Sequence, residues 1–229
     1  MGAQRTNMSK KETSIPDRIL ATALSLFNEF GFQTVTVRKI SQRLDISAGH
    51  VGYHFKTKED IAVALFPLLE EEMHRDVLDV VKPGQAFTGA VGARDAIAIV
   101  RTMWRYRFIF VSLNSLLKED DSLRERYLAL QEHITSFAER AFKSLIALKE
   151  MEQPQPPNSP RTLAETWWLM WMGWLRAQEL AYHSHENLPD AVTYHGALLT
   201  YGVVAPYISD EFSKSFIRNA QKLLPKYKA

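Results

Sequence analysis

The sequence predicts an all-α protein: a three-helix N-terminal head followed by a larger helical body. Three observations predict it. Apolar residues recur at i, i+3 or i+4 and i+7 through most of the 229 residues. Breaks rich in Gly, Pro or polar residues separate those stretches at helix-length intervals, at 82–92, 151–160 and 184–190. No convincing period-two alternation marks a strand, and no internal repeat is evident.

Ser14 is placed to cap the first helix, with Pro16 in its first turn and Asp17 at the positive end of the helix dipole. Ile15, Ile19, Leu20, Ala23, Leu24, Phe27 and Phe30 share one face, and Gly31 ends the helix. Thr36 caps a second helix from Val37, in which Val37, Ile40 and Leu44 form a buried stripe. Asp45 serves the turn, because Asp tolerates left-handed backbone better than most residues. Ile46 plugs the space between helices, and Ser47 caps a third helix with Val51 and Phe55 facing inward. Thr57 with Asp60 three residues on resembles a capping box and opens the next helix at Lys58. That helix is expected to reach about Val81, bent at Pro67. Further helices are expected over about 93–117, 122–150, 161–183, 190–204 and 210–224. A polar corner is expected at 118–121 and a Pro-rich loop at 151–160, and Pro206 interrupts before the last helix.

Composition bounds the class. With 46% hydrophobic and 24% charged residues the chain belongs among ordinary globular proteins. It has no cysteine, which excludes disulfides and thiolate zinc sites. No apolar run is long enough to span a membrane, so no membrane association is expected. Residues 1–13 lack an apolar signal core and read as a disordered, mildly basic arm, from which a cytoplasmic location is expected. Residues 1–60 hold nine Lys/Arg against six Asp/Glu, and the remainder holds nineteen against twenty. The positive excess therefore sits on the head, in the sense that a nucleic-acid partner requires.

The segment 34–61, TVTVRKISQRLDISAGHVGYHFKTKEDI, has the layout of a helix-turn-helix that lays its second helix in the DNA major groove. Arg38, Lys39, Arg43, Ala48, Gly49, His50, Tyr53, Lys56 and Lys58 point outward, mixing small, basic and aromatic groups as a groove-reading face does. On Gly31-Phe32, the run 36–41 (TVRKIS), the run 46–49 (ISAG) and above all the run 53–61 (YHFKTKEDI), the head resembles the N-terminal domain of TetR-type transcriptional regulators. The likeness covers roughly the first quarter of the chain. The chain departs from it at Asp45, where members usually carry Gly, and at Gly52, where they usually carry a Tyr that commonly contacts a phosphate.

The resemblance implies a DNA-binding domain at 14–57 and a ligand-binding and dimerisation domain at 58–229. It also implies a homodimeric repressor on a palindromic operator in double-stranded DNA, released by a small hydrophobic or amphipathic effector. It places Arg38 as a base contact from the first helix of the motif, and Ala48, Gly49 and His50 at base edges. Thr36, Ser47, Tyr53 and Lys58 fall at phosphates with Lys56 nearby, and Tyr53 is expected to take over from the absent Tyr. His54 has two readings, structural or phosphate-proximal. An adaptor of the same fold that recruits a protein partner without an inducer is the alternative.

Two clusters in the body bear on a ligand. The segment 167–175, WWLMWMGWL, is apolar all round and should be buried on most sides, so Trp168, Trp171 and Trp174 either wall a hydrophobic cavity or fill the core or a dimer interface. In the segment 101–108, Arg101 and Arg105 are spaced i, i+4, as are Trp104 and Phe108. Arg101, Trp104 and Phe108 either meet a ligand carboxylate or phosphate, or the arginines are surface groups, or they pair with Glu119, Asp120 or Glu125.

The Glu-x-x-His at 71–74 has di-iron spacing but no second copy, and His183 and His185 at i, i+2 do not share a helix face. With no Gly-x-Ser-x-Gly, phosphate-cradling loop or catalytic dyad, no enzyme, cofactor or metal is expected.

Overall fold

The computed structural model describes residues 14–79, 86–113, 115–116 and 121–224. The expected arm at 1–13, the end of the first body helix at 80–81, the start of the connector at 82–85 and the corner at 118–120 lie outside them. The chain is all-α. Among the described residues the sole β-type pairing is an isolated bridge between Met151 and Ile208.

The head consists of α1 (Ile15–Phe30), α2 (Val37–Leu44) and α3 (Ala48–His54). Each of the three begins at the expected cap. The hydroxyls of Ser14, Thr36 and Ser47 accept from the backbone N–H of Asp17, Lys39 and His50. Gly31 ends α1 at φ 79°, a backbone conformation that favours glycine. Ile19, Leu26, Phe27, Phe32, Val35, Ile40 and Val51 close the core of the head.

The body begins with α4 (Lys58–Met73), opened by a reciprocal capping box between Thr57 and Asp60. Pro67 stands on its exposed face, where water can serve the carbonyl that the proline leaves without a donor. A π-helical turn, His74–Leu78, continues α4.

Two helices, α5 (Gly89–Arg105) and α6 (Arg107–Val111), stand where one was expected. They are followed by α7 (Asp121–Ala147), α8 (Pro160–Tyr182), α9 (Asp190–Gly202) and α10 (Asp210–Leu223). Helix α5 runs through the middle of the body against α9 and α10, and α7 packs along α8. A Cβ on Gly89 would stand 2.6 Å from the Phe212 carbonyl oxygen and 2.7 Å from the Phe216 nitrogen, so only glycine lets α5 and α10 meet backbone to backbone. A Cβ on Gly196 would stand 2.7 Å from the Trp174 ring, which fills that space instead.

The break between α5 and α6 has a tertiary cause. The Asn28 side chain, from α1, donates to the Arg105 carbonyl (2.7 Å) and accepts from the Phe108 N–H (3.1 Å). Arg107 donates to the Trp104 carbonyl (3.1 Å). Backbone groups that would close the next helical turn are thus taken by side chains, and Tyr106 leaves helical geometry at φ −104°, ψ 23°. Nearby, the buried Glu72 carboxylate receives Arg105 (2.9 Å), the Thr102 hydroxyl (3.3 Å) and the Tyr106 hydroxyl (3.4 Å). Arg105 thus pairs with Glu72 of α4, whereas Glu119 and Asp120, two of the partners expected for it, lie outside the described residues.

Candidate nucleic-acid interface

The turn between α2 and α3 sets the reading face. Asp45 adopts φ 55°, ψ 44°, its N–H reaches the Gln42 carbonyl (3.3 Å), and the Ile46 N–H reaches the Ser41 carbonyl (3.1 Å). The last carbonyls of α2 are satisfied in this way, and the chain reverses within two residues. Asp in place of glycine is accommodated because its short polar side chain tolerates the left-handed region.

Beyond the turn Ala48, Gly49 and His50 stand exposed at the start of α3, and Arg38 stands exposed on α2 with Thr36 and Ser47. The two capping hydroxyls accept from backbone N–H groups, which leaves the hydroxyl protons free to donate to phosphate oxygens. Tyr53 is 84% exposed. The His54 ring lies 5.8 Å from His50 and 5.0 Å, edge-on, from Tyr53, so His54 braces both neighbours. Lys56 is exposed.

Lys58 is different. Its ammonium donates to the carbonyls of Phe32 (2.9 Å) and Gln33 (3.1 Å) and lies 4.6 Å over the Phe32 ring. It closes the turn after α1 in the protein without DNA. Two other cations of this surface are also engaged: Lys39 sits over the Phe30 ring, and Arg43 pairs with Glu29 at 3.7 Å.

The six expected ligand residues do not form one site. Arg101 and Trp104 line a cleft of about 750 Å³ between α1 and the body, together with Asn28, Arg105, Arg107 and Glu186. Phe108 faces away, packing on Phe27 (5.0 Å) and Phe32 (6.4 Å) where head and body join. Trp168 packs on Tyr127 (6.2 Å), and Trp171 and Trp174 stand edge to face at 5.3 Å inside the core. These three tryptophans line neither the cleft nor a second, apolar cavity of about 60 Å³ in the body. The tryptophan on that cavity is Trp167.

Arg107 was not singled out by sequence reasoning. It is 3% exposed, and its guanidinium donates to the carbonyls of Trp104 (3.1 Å), Asn28 (3.3 Å), His183 (2.9 Å) and His185 (3.2 Å). Burial lowers its pKa to about 10, against the opposing pull of the Glu179 carboxylate. It ties the head to the end of α8. The Pro-free break at 106–107 carries no local signal, and only the unusual density of arginine beside aromatics in 101–108 hints at it. Asp95 was missed likewise, since one acid in an α5 stretch rich in alanine and isoleucine reads as a surface residue. Of the candidate metal spacing, Glu71 stands exposed and His74 faces Asp79 at 3.3 Å, and no group of three or more metal-ligating side chains occurs among the described residues.

Comparison with known proteins agrees with this geometry. Residues 19–65 match the profile of the family described as bacterial regulatory proteins, tetR family. Residues 95–216 match the profile described as bacterial transcriptional repressor, TetR. A probable HTH-type transcriptional regulator of Bacillus subtilis strain 168, YttP, is 38% identical over 47 residues, which is 20% of this chain and 23% of that protein. The matched stretch thus spans about a quarter of that relative. The crystal structure of a TetR-family transcriptional regulator from Marinobacter aquaeolei VT8 is 25% identical. It superposes with a TM-score of 0.77 over 94% of this chain and 100% of its own. The TetR-family regulator PfmR of Thermus thermophilus has the same fold at 17% identity (TM-score 0.63, 84% of this chain, 97% of its own).

Proposed function

This chain belongs to the TetR family of bacterial DNA-binding transcriptional regulators, and from that premise we propose that it is a homodimeric repressor of a palindromic operator, released by a small hydrophobic or amphipathic ligand. In this reading 14–57 is the DNA-binding unit and 58–229 the sensing and dimerising unit. The observation that carries the DNA half is the exposed set Arg38, Ala48, Gly49, His50 and Tyr53, presented on two capped helices at one tight turn. Arg38 is the base reader, His50 stands at base edges, and Thr36, Ser47, Tyr53 and Lys56 hold phosphates.

Dimerisation is supported by α8. Its outer face carries Leu169 and Leu180, 69% and 73% exposed, with Gly173 between them, where an added Cβ would meet nothing within 4 Å. An apolar stripe with a bare backbone suits the isologous contact of a two-fold dimer. Release then follows if ligand favours a body shape in which α4, anchored to the head by Lys58 and to α5 by Glu72, holds the two heads at another spacing.

Footprinting of genomic fragments captured by the purified protein tests this, with sedimentation to count protomers. The expected result is a protected palindrome bound by a dimer, with Arg38→Ala losing about 1–3 kcal/mol and relaxing preference at one base pair per half-site. Capture of no fragment at low salt would refute the operator reading. The closed packing of Trp168, Trp171 and Trp174 favours the second reading, an adaptor without inducer, and an operator complex unaffected by any ligand of the body would support it.

A further inference from the structure

The apolar cavity of the body holds one polar oddity. It lies among α5, α7, α8, α9 and α10, and Phe87, Phe137, Phe142, Trp167, Tyr201 and Phe216 are among its lining residues. Asp95 of α5 also lines it and is 3% exposed. One carboxylate oxygen, Oδ1, receives both donors of Arg94, at 2.6 and 3.0 Å. The other, Oδ2, is buried with no hydrogen-bond partner. Glu72 makes the contrast, since its equally buried carboxylate is met by three side chains. A buried acceptor left open is costly, by about 1–3 kcal/mol and more when charged, unless something fills it.

The surroundings restrict what can fill it. An anion is repelled by Asp95, whose charge the half-exposed Arg94 meets on one side only. A cation finds an acidic side chain among aromatic rings, the combination that attracts alkylated ammonium ions. The room of about 60 Å³ admits roughly four or five water-sized groups. On these grounds, and resting on the reading of the protein as a ligand-released regulator, we propose that this cavity binds a small organic ammonium ion, its charged head at Asp95 Oδ2 and its alkyl groups among the rings. Burial raises the Asp95 pKa to about 6, and a bound cation would return it toward the ordinary carboxylate range. From Asp95 the helix runs about 15 Å to Arg105 and the Asn28 clasp, which gives the site a rigid path to the head.

The test uses the full chain, with tetramethylammonium and n-butylammonium as probes and 3,3-dimethylbutan-1-ol and butyrate as neutral and anionic controls. Calorimetry reads binding, and the operator complex is followed separately. The expected result is saturable binding of at least one cation, weakened at least tenfold in Asp95→Asn and severalfold in Phe137→Leu, with both controls at least tenfold weaker than that cation. Phe137→Leu keeps the site testable should the Asp95 variant fold poorly. Equal binding of the alcohol or butyrate, no binding of either cation, or full affinity in both variants would overturn the proposal. Cation binding without operator release would leave the site standing and remove the release reading. Operator release by a neutral or anionic compound, with no cation bound, would do the reverse.

Discussion

The Asn28 side-chain amide of α1 donates to the Arg105 carbonyl at 2.7 Å, joining the head to the point where α5 breaks. Its oxygen accepts from the Phe108 N–H at 3.1 Å, so one residue satisfies a donor and an acceptor that the broken helix cannot. Replacing Asn28 by Ala leaves both without a partner. We expect a loss of about 1–3 kcal/mol in urea unfolding, with DNA affinity per folded molecule little changed, because Asn28 lies away from the reading face.

Lys56 and Lys58 are close in sequence and differ in employment. Lys56→Ala should weaken binding to all DNA sequences alike and reduce the salt dependence by about one unit of slope. Lys58→Ala removes a donor shared by the Phe32 and Gln33 carbonyls. It should lower the stability of the head by about 1–3 kcal/mol and leave the slope nearly unchanged. A full unit of slope lost in Lys58→Ala would show that it holds a phosphate when DNA is bound.

Two glycines give opposite results with the same substitution. Gly89→Ala places a methyl 2.6 Å from the Phe212 carbonyl oxygen and forces α5 from α10. It should destabilise by about 1–3 kcal/mol or more. Gly52→Ala meets nothing within 4 Å and should stabilise by up to about 1 kcal/mol through helix propensity. Thermal unfolding of the two variants beside the parent decides both.

Most of the helices were legible because caps and periodicity are local. Ser14, Thr36, Ser47 and Thr57 cap where their side chains and neighbours say they should. The α5–α6 break was not legible, because its cause is Asn28, far away in sequence, and the local pattern reads as one continuous helix. The same holds for the site. The exposed residues of α2 and α3 follow from the motif, whereas the internal use of Lys58 depends on where the turn after α1 falls in space. Trp168, Trp171 and Trp174 stand on one all-apolar segment with Trp167, and only the packing of α7 and α9 decides which of the four meets open space.

Asp95 supplies a pH signature. Its pKa is raised to about 6 by burial, against 3.8 unfolded. Between those values the native state binds the proton more tightly, so this group adds stability as pH falls from about 6 toward 4 and removes it as pH rises. Asp95→Asn lacks the titration. Measured against the parent, the variant should gain on the order of 2–3 kcal/mol in relative stability between pH 4 and pH 7. A constant difference across that range would count against the burial of an ionised Asp95.

The bareness of α3 has a consequence for divergence. An added Cβ at Gly49 would meet only the Ser47 Oγ at 3.9 Å, and at Gly52 nothing at all. With Ala48 these positions present almost no side chain outward, and no core contact depends on them. New side chains can therefore be introduced there one at a time without a compensating change inside. A duplicated copy of this regulator could be re-addressed to a different set of genes by single substitutions, while its fold stayed as it is.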